Sequence, residues 1–525
     1  MLIGGLDDQI NLVVWSLISK PFFSFAHDFF SRSETLNVTF LAYLRPLDSN
    51  EPLTWFFISS LASLVGYWAN NIIVLLTLVL NFYFSHLFFK KFKYGLVFSL
   101  IFTFSSYFWL HLGKHPDLGF VWLLPVIVKK LDADFNYSLK NGFMLAFYAF
   151  LLSLMSNYLG FFLVLFVGLF VLCDLLLKVQ SIKKVTKFCV VFITSYILLI
   201  VTALMPYIKI NYFNAPPQGY INPLNRSYDD LVSFSSRPWY HFIPSPKNPV
   251  YKELSQNLLS RIEGTGYFLA DDYFQGEHDS MFFGYFFLVS YLSVVIYNLY
   301  ERKRLNNDKN TNIHRKYLLL AFFLFLFTLP PFFTVFGQTL YTPSYLLFKI
   351  APFFRVTSRL SIFILLALLL SFSYGLKNIV FKNTKILSFL MAVLLVVTLV
   401  ESYVPPKIYK NEGTPGVYKY LGQMPTFDKF VVYPYSMTKE ALYFLPEHKK
   451  DLLNIRGFSN STYESQSLTE RLVTDEGLLS TRDLGVRYLL VFKNAPTEDL
   501  VYFSEQRGLI LEREFDNSYL YYFKK

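Results

Sequence analysis

The sequence predicts a mainly α, polytopic transmembrane helix bundle of about ten spans, with a small extracytoplasmic α/β domain at its C-terminal end. Three observations predict it. Only 16% of the 525 residues are charged, against about 25% in a soluble globular domain, while 54% are hydrophobic. Apolar runs of roughly 17 to 21 residues, each long enough to cross about 30 Å of hydrocarbon as a helix, recur along the chain. Beyond Tyr403 these runs stop, and short strand patterns and capped helices replace them.

Residues 1–71 read as a first extracytoplasmic loop, in which Pro52–Tyr67 is an apolar helix lying in the membrane interface. Residues 72–206 hold six spans, near Ile72–Phe89, Gly95–Leu112, Leu118–Val128, Gly142–Asn157, Leu159–Leu177 and Thr186–Pro206. The third is short and pairs with the second as a tight hairpin. Residues 207–280 are a long loop rich in Pro, Asn and Tyr. Its centre, Ser236 to Pro246, has the Pro and aromatic content of an ordered cover. Residues 281–402 hold four more spans, near Met281–Leu299, Tyr317–Phe336, Leu360–Leu376 and Ile386–Ser402. Residues 403–525 form the α/β domain. Its strands are expected at Phe430–Tyr433, Tyr488–Phe492, Leu509–Phe515 and Tyr519–Phe523. Helices are expected at Ser465–Thr474 and Thr497–Gln506, and another starts at Thr414-Pro415.

Basic residues orient the bundle. Lys90, Lys91 and Lys93 follow the first span, Lys129 and Lys130 the third, and Lys178, Lys183, Lys184 and Lys187 the fifth. Arg302, Lys303, Arg304, Arg315 and Lys316 follow the seventh, and Lys377, Lys382 and Lys385 the ninth. Every odd-numbered span is thus followed by a basic, cytoplasmic loop, and the other loops face outward in a multi-pass protein of the cell membrane. This topology places Met1 outside, so the reading expects an N-terminal span that this sequence lacks. The net charge of +11 lies in these short loops, where it sets topology; a nucleic-acid partner is excluded on that ground. Cys173 and Cys189 both lie in apolar segments and make no disulfide framework or cysteine metal site.

The polar residues that could carry chemistry collect at the outer ends of the spans. Asp7 and Asp8, in Gly4-Gly5-Leu6-Asp7-Asp8, stand at the start of the first loop. The turn His111-Leu112-Gly113-Lys114-His115-Pro116-Asp117 is the densest constellation. His111, His115 and the acids suit a divalent metal ion, and Lys114 suits a phosphate, although the spacing matches no standard zinc motif. Arg355 and Arg359 flank the outer end of the ninth span, at the depth of lipid phosphate. Glu277, beside His278 before the seventh span, is a further metal or acceptor ligand. The bland alternatives are a solvated hairpin turn and ordinary headgroup anchors.

Gly-Gly-Leu-Asp-Asp, with Trp15 after it, resembles the first outer loop of the GT-C superfamily of membrane glycosyltransferases. It is most similar to the bacterial YfhO-like and mannosyltransferase-like groups. Leu110–Pro125, ending in Trp122-Leu123-Leu124-Pro125, resembles the second outer turn of that superfamily. Pro244-Ser245-Pro246, Pro352 to Arg359 (with Thr357 where Pro is usual) and Leu484-Gly485-Val486-Arg487-Tyr488 resemble three later elements. The resemblance implies transfer of a sugar from a polyprenyl-phosphate donor to an envelope glycan, lipid or protein acceptor at the outer face. It also implies inversion in one displacement, with Asp7 or its neighbour Asp8 as base or metal ligand and Asp117 as the second-loop acid. Lys114, Arg355 and Arg359 would then meet the donor phosphate. No cofactor follows beyond a divalent ion. The alternative is a non-enzymatic glycan-lipid transporter or assembly factor with the same fold. A transporter should line a path with polar residues at mid-span.

Overall fold

The computed structural model describes residues 2–3, 51–65, 68–112, 115–131, 135–205, 228–269, 277–301, 309–335, 338–352, 354–379, 383–406, 408–409, 413–424, 428–454 and 461–524. They fall into two compact units. One comprises Val74–Met205 and Leu224–Pro406; the other comprises Met1–Ile73, Pro206–Pro223 and Lys407–Lys525.

Among the described residues, five helices are long and apolar enough to cross a membrane: Ala69–Phe89, Asn157–Leu176, Ile182–Ala203, Thr357–Lys377 and Thr384–Ser402. Three shorter apolar helices, Gly95–His111, Leu139–Met155 and Tyr285–Tyr300, accompany them. The chain is thus mainly helical, as its apolar runs predict. Apolar character all round a helix marks the centre of a bundle. In Ser361–Lys377 every side chain from Ser361 to Gly375 is buried. Ile182–Ala203 is as apolar but buries few residues, and its Val190, Ile193, Ile197 and Leu198 are exposed, the pattern of a lipid-facing surface.

Three expected spans differ, each for a local reason. Gly95–Leu112 breaks into Gly95–Thr103 and Ser106–His111. Before the break, the Ser99 and Thr103 hydroxyls donate back to the carbonyls of Gly95 and Ser99 at 2.6 and 2.8 Å, a pattern that bends helices. Leu118–Val128 resolves into Pro116–Gly119 and Leu123–Lys130; eight residues rise about 12 Å, too little to cross. Tyr317–Phe336 ends early because Pro330 and Pro331 cannot continue a helix. The helix Lys309–Thr328 gives way to an antiparallel hairpin of Phe332–Val335 and Gln338–Tyr341.

Polar ties hold the helix ends that the basic loops assign to the cytoplasm. Asp174 accepts from the Tyr137 hydroxyl at 2.6 Å and lies 3.0 Å from Lys316 Nζ, which sits 3.9 Å over the Phe170 ring. Asn378 donates to Asn298 Oδ1 at 2.6 Å and to the Thr311 hydroxyl at 3.1 Å. At the opposite end Gly160 permits a close approach: a Cβ there would stand 1.9 Å from Ser153 Oγ and 2.5 Å from Ser153 Cα. Gly160→Ala is therefore expected to overpack this junction and cost about 1–3 kcal/mol. Gly168→Ala, with nothing within 4 Å, is the control. Thermal unfolding of the detergent-solubilised chain measures both, and equal midpoints for the two variants would refute the packing argument.

In the second unit a five-stranded sheet runs Asp451–Leu452, Lys429–Tyr433, Val486–Phe492, Ser518–Phe523, Leu509–Glu514. The first three strands are parallel, and the last two add antiparallel. Both faces are covered, because successive side chains alternate. Phe430 and Val432 enter one core with Tyr418 and Leu421, and Val431 enters another with Leu489 and Phe503. The two-residue edge strand is extended by a side chain: Asn454 Nδ2 donates to Val432 O at 2.6 Å, and Val432 N donates to Asn454 Oδ1 at 2.9 Å. The expected hairpin at Asp516-Asn517 is present. Where one helix is expected at Ser465–Thr474 there are two, Ser461–Arg471 and Asp475–Asp483, the second capped by the Thr474 hydroxyl. Leu2–Ile3 pairs antiparallel with Ile408–Tyr409, and Pro52–Val65 is helical.

Candidate functional site

Four short segments of the first unit converge on one buried polar cluster. In the helix Ser106–His111, Tyr107 and His111 are four residues apart and so share a face. Their rings lie 4.2 Å apart, and His111 Nδ1 stands 2.7 Å from the Tyr107 carbonyl. Pro116, with its fixed φ, opens the turn that carries Asp117. Glu277 precedes the helical turn His278–Ser280, and Arg359 lies in the turn Thr357–Leu360 that leads into the central helix.

Arg359 donates from Nε and Nη2 to Glu277 Oε1, at 3.3 and 3.1 Å. Its guanidinium carbon sits 4.5 Å from the centre of the Tyr158 ring. His111 Nε2 lies 3.2 Å from Glu277 Oε2. A carbonyl only accepts, so His111 Nδ1 carries a proton toward Tyr107. Asp117 is buried within range of Arg359 and His111.

The two carboxylates are driven in opposite directions. Burial pushes both up. For Glu277 the paired Arg359, and then His111, outweigh burial and hold it well below the usual carboxylate range. For Asp117 burial dominates, and Arg359 and His111 only moderate the rise. Neighbouring acids with divergent environments are the arrangement that lets one stay charged while the other exchanges protons.

A second polar layer backs the cluster. His278 stacks on Tyr240 at 4.2 Å and meets the Ile243 carbonyl at 3.1 Å. His241 lies 5.2 Å from the rings of both Phe283 and Phe325. Burial pushes each of these imidazoles down to about 4, so both are neutral near pH 7. Asp279 accepts from the Ser245 hydroxyl and from Lys247 Nζ, so Pro244-Ser245-Pro246 fastens the segment that presents Glu277. Arg237, wholly buried, donates to the carbonyls of Val232 and Ser235 at 2.5 and 2.9 Å.

The structure therefore gathers His111, Asp117, Glu277 and Arg359 from the expected site residues. The ring of His115 lies 6.3 Å from that of His111. Arg355 is placed elsewhere, 3.1 Å from Asp230 and over the Phe234 ring, rather than with Arg359. Asp7, Asp8 and Lys114 lie outside the described residues. Among the described residues, no three His, Cys, Asp or Glu side chains are gathered as a metal site. Sequence reasoning missed Tyr107 and Tyr158. Tyr107 had one signal, its spacing of four from His111; Tyr158 had none beyond the turn that contains it.

No protein-family model matches the chain, and no curated protein matches it. Among solved structures it is similar to the single-particle cryo-EM structure of arabinofuranosyltransferase AftD from mycobacteria. The TM-score is 0.47 at 12% identity, over 91% of this chain and 36% of that one. A mutant of the same enzyme gives 0.48 at 12% identity, over 99% and 42%. The chain thus spans well under half the length of these solved chains.

Proposed function

We propose that this protein is a membrane glycosyltransferase that moves a sugar from a polyprenyl-phosphate donor to an envelope acceptor at the outer face of the membrane. The observation that carries the reading is the buried cluster of two unlike carboxylates, an imidazole and a guanidinium at those ends of apolar helices that the basic loops assign to the outer face. A bilayer-anchored donor requires a site at that depth. Asp117 is the base: it takes the proton of the acceptor hydroxyl as that oxygen attacks the anomeric carbon. The bond from the anomeric carbon to the phosphate oxygen breaks, and the lipid phosphate leaves with the electron pair. Attack opposite the leaving group inverts the anomeric centre. Arg359 stabilises the charge that develops on the phosphate. Glu277 occupies its Nε and Nη2, so Nη1 is the nitrogen that turns to the substrate. Asp7 and Asp8 are the first-loop acids of the same reading, and Arg355 is the outer cation on the path of the donor.

The test is transfer from polyprenyl-phosphate-linked sugars by the purified full chain in nanodiscs. Since Asp117 must be ionised to act and its carboxyl is raised by burial, activity should climb with pH through a value above the 3.8 of an ordinary aspartate. An acidic limb at or below that value would remove Asp117 as the base. One observation favours a second reading, a non-enzymatic glycan-lipid transporter or assembly factor: two of the Arg359 guanidinium nitrogens are taken up by Glu277, as in a structural ion pair. Folded protein that binds the lipid-linked sugar and transfers none would support it.

A further inference from the structure

We propose a buried site for a single water molecule, held by the hydroxyls of Ser105, Tyr107 and Ser361, beside the segments that carry His111, Glu277 and Arg359. Four parts of the chain enclose one small cavity. Ser105, Ser106 and Tyr107 come from the entry to the helix Ser106–His111, and Ser280 from the turn after Glu277. Ser361 opens the central helix, and Ser402 ends the span Thr384–Ser402. Every lining residue is at most 7% exposed.

Two of these hydroxyls are already engaged. Ser106 donates to the Phe282 carbonyl, and Ser280 donates to the Glu277 carbonyl at 2.8 Å. The hydroxyls of Ser105, Tyr107 and Ser361 are buried, and among the described residues no group bonds to them. A hydroxyl that leaves water without a substitute partner is costly, so three around one cavity point to a ligand that both donates and accepts. The cavity volume is about 10 Å³, the space of one water and too little for a sugar ring or a lipid headgroup. No lining side chain is charged, so an ion would lie there without a counter-charge, which favours a neutral ligand. A water donates two hydrogen bonds and accepts two. That meets the three hydroxyls and leaves one bond for the Ser280 oxygen, whose own proton is used. Ser361 lies just after Arg359 in sequence and Ser280 just after Glu277, while the Tyr107 ring lies 4.2 Å from that of His111. The water thus joins the three segments that present the cluster. The assignment stands whether the cluster transfers a sugar or only binds one.

The experiment is pulsed X-ray radiolysis of the full chain in detergent, read by mass spectrometry of its peptides. Radicals formed from a bound water oxidise the side chains that touch it, even where bulk solvent does not reach. Tyr107 is expected to be oxidised, while Tyr291, also buried but bonded to Ser371 at 2.9 Å, stays unmodified. After rapid mixing into heavy-oxygen water, the label should enter Tyr107 later than it enters the exposed Tyr267. Ser105→Ala with Ser361→Ala removes two of the three hydroxyls and should abolish oxidation of Tyr107. Continued protection of Tyr291 in that variant shows that the bundle is still packed. Ser361→Ala alone, a milder change, should lower the oxidation and serves where the double variant does not fold. Wild-type Tyr107 oxidised no more than Tyr291 overturns the proposal. So does heavy oxygen that reaches Tyr107 as fast as Tyr267, since bulk solvent would then be its source. Undiminished oxidation of Tyr107 in the packed variants overturns it as well.

Discussion

Asp117→Asn should lower sugar transfer by about 10²–10⁴-fold, the contribution of a positioned general base. The substitution is nearly isosteric and keeps an oxygen to accept from the backbone N–H of Leu118, which assists the carboxylate now. Burial already disfavours charge at this position, so removing the charge should not lower stability. The measurement is transfer by equal amounts of folded variant and wild type, beside their thermal midpoints. A variant that is fully active refutes the role of Asp117, and leaves the first-loop pair Asp7 and Asp8 to supply the base. A variant that is inactive but also unfolded would be resolved by Asp117→Glu, which retains a base and should recover part of the activity.

Glu277→Gln should be the most destabilising single change in the cluster, at about 3–5 kcal/mol, because it removes the carboxylate that is hydrogen-bonded to the buried Arg359. Arg359 and Glu277 are both nearly inaccessible, with side-chain exposures of 12% and 9%. Adding Arg359→Gln should restore part of the loss, since the penalty comes from the unpaired charge more than from the missing contact. The pH dependence has a definite sign. The folded state holds the Glu277 carboxyl below its ordinary 4.5, so its contribution is complete above that value and fades as pH falls through the depressed one. Wild-type stability should therefore decline below about pH 4.5 more steeply than that of Glu277→Gln. Thermal unfolding across pH measures this, and parallel curves would show that the pair carries no such linkage.

Much of the fold was legible because its signals are local. An apolar run of about twenty residues has one low-energy state in a bilayer, so Asn157–Leu176 and Thr384–Ser402 could be located from hydropathy within a few residues. The strand Val486–Phe492 and the hairpin at Asp516-Asn517 follow from equally local patterns. Hydropathy alone blurred the breaks. It passed over the hydroxyls of Ser99 and Thr103 and counted through Pro330 and Pro331, because a window average ignores backbone hydrogen bonding.

The sequence by itself determined a mainly helical membrane chain and the short set of polar residues from which a site could be drawn. Only the tertiary structure decided which of them meet. Arg355 and Arg359 are four residues apart, yet one pairs with Asp230 and the other with Glu277, 82 positions away. Nor could composition separate the two acids, since Glu277 and Asp117 are alike as free side chains. Their opposite protonation tendencies arise from burial set against the distance to one guanidinium, and both quantities exist only once the helices have packed.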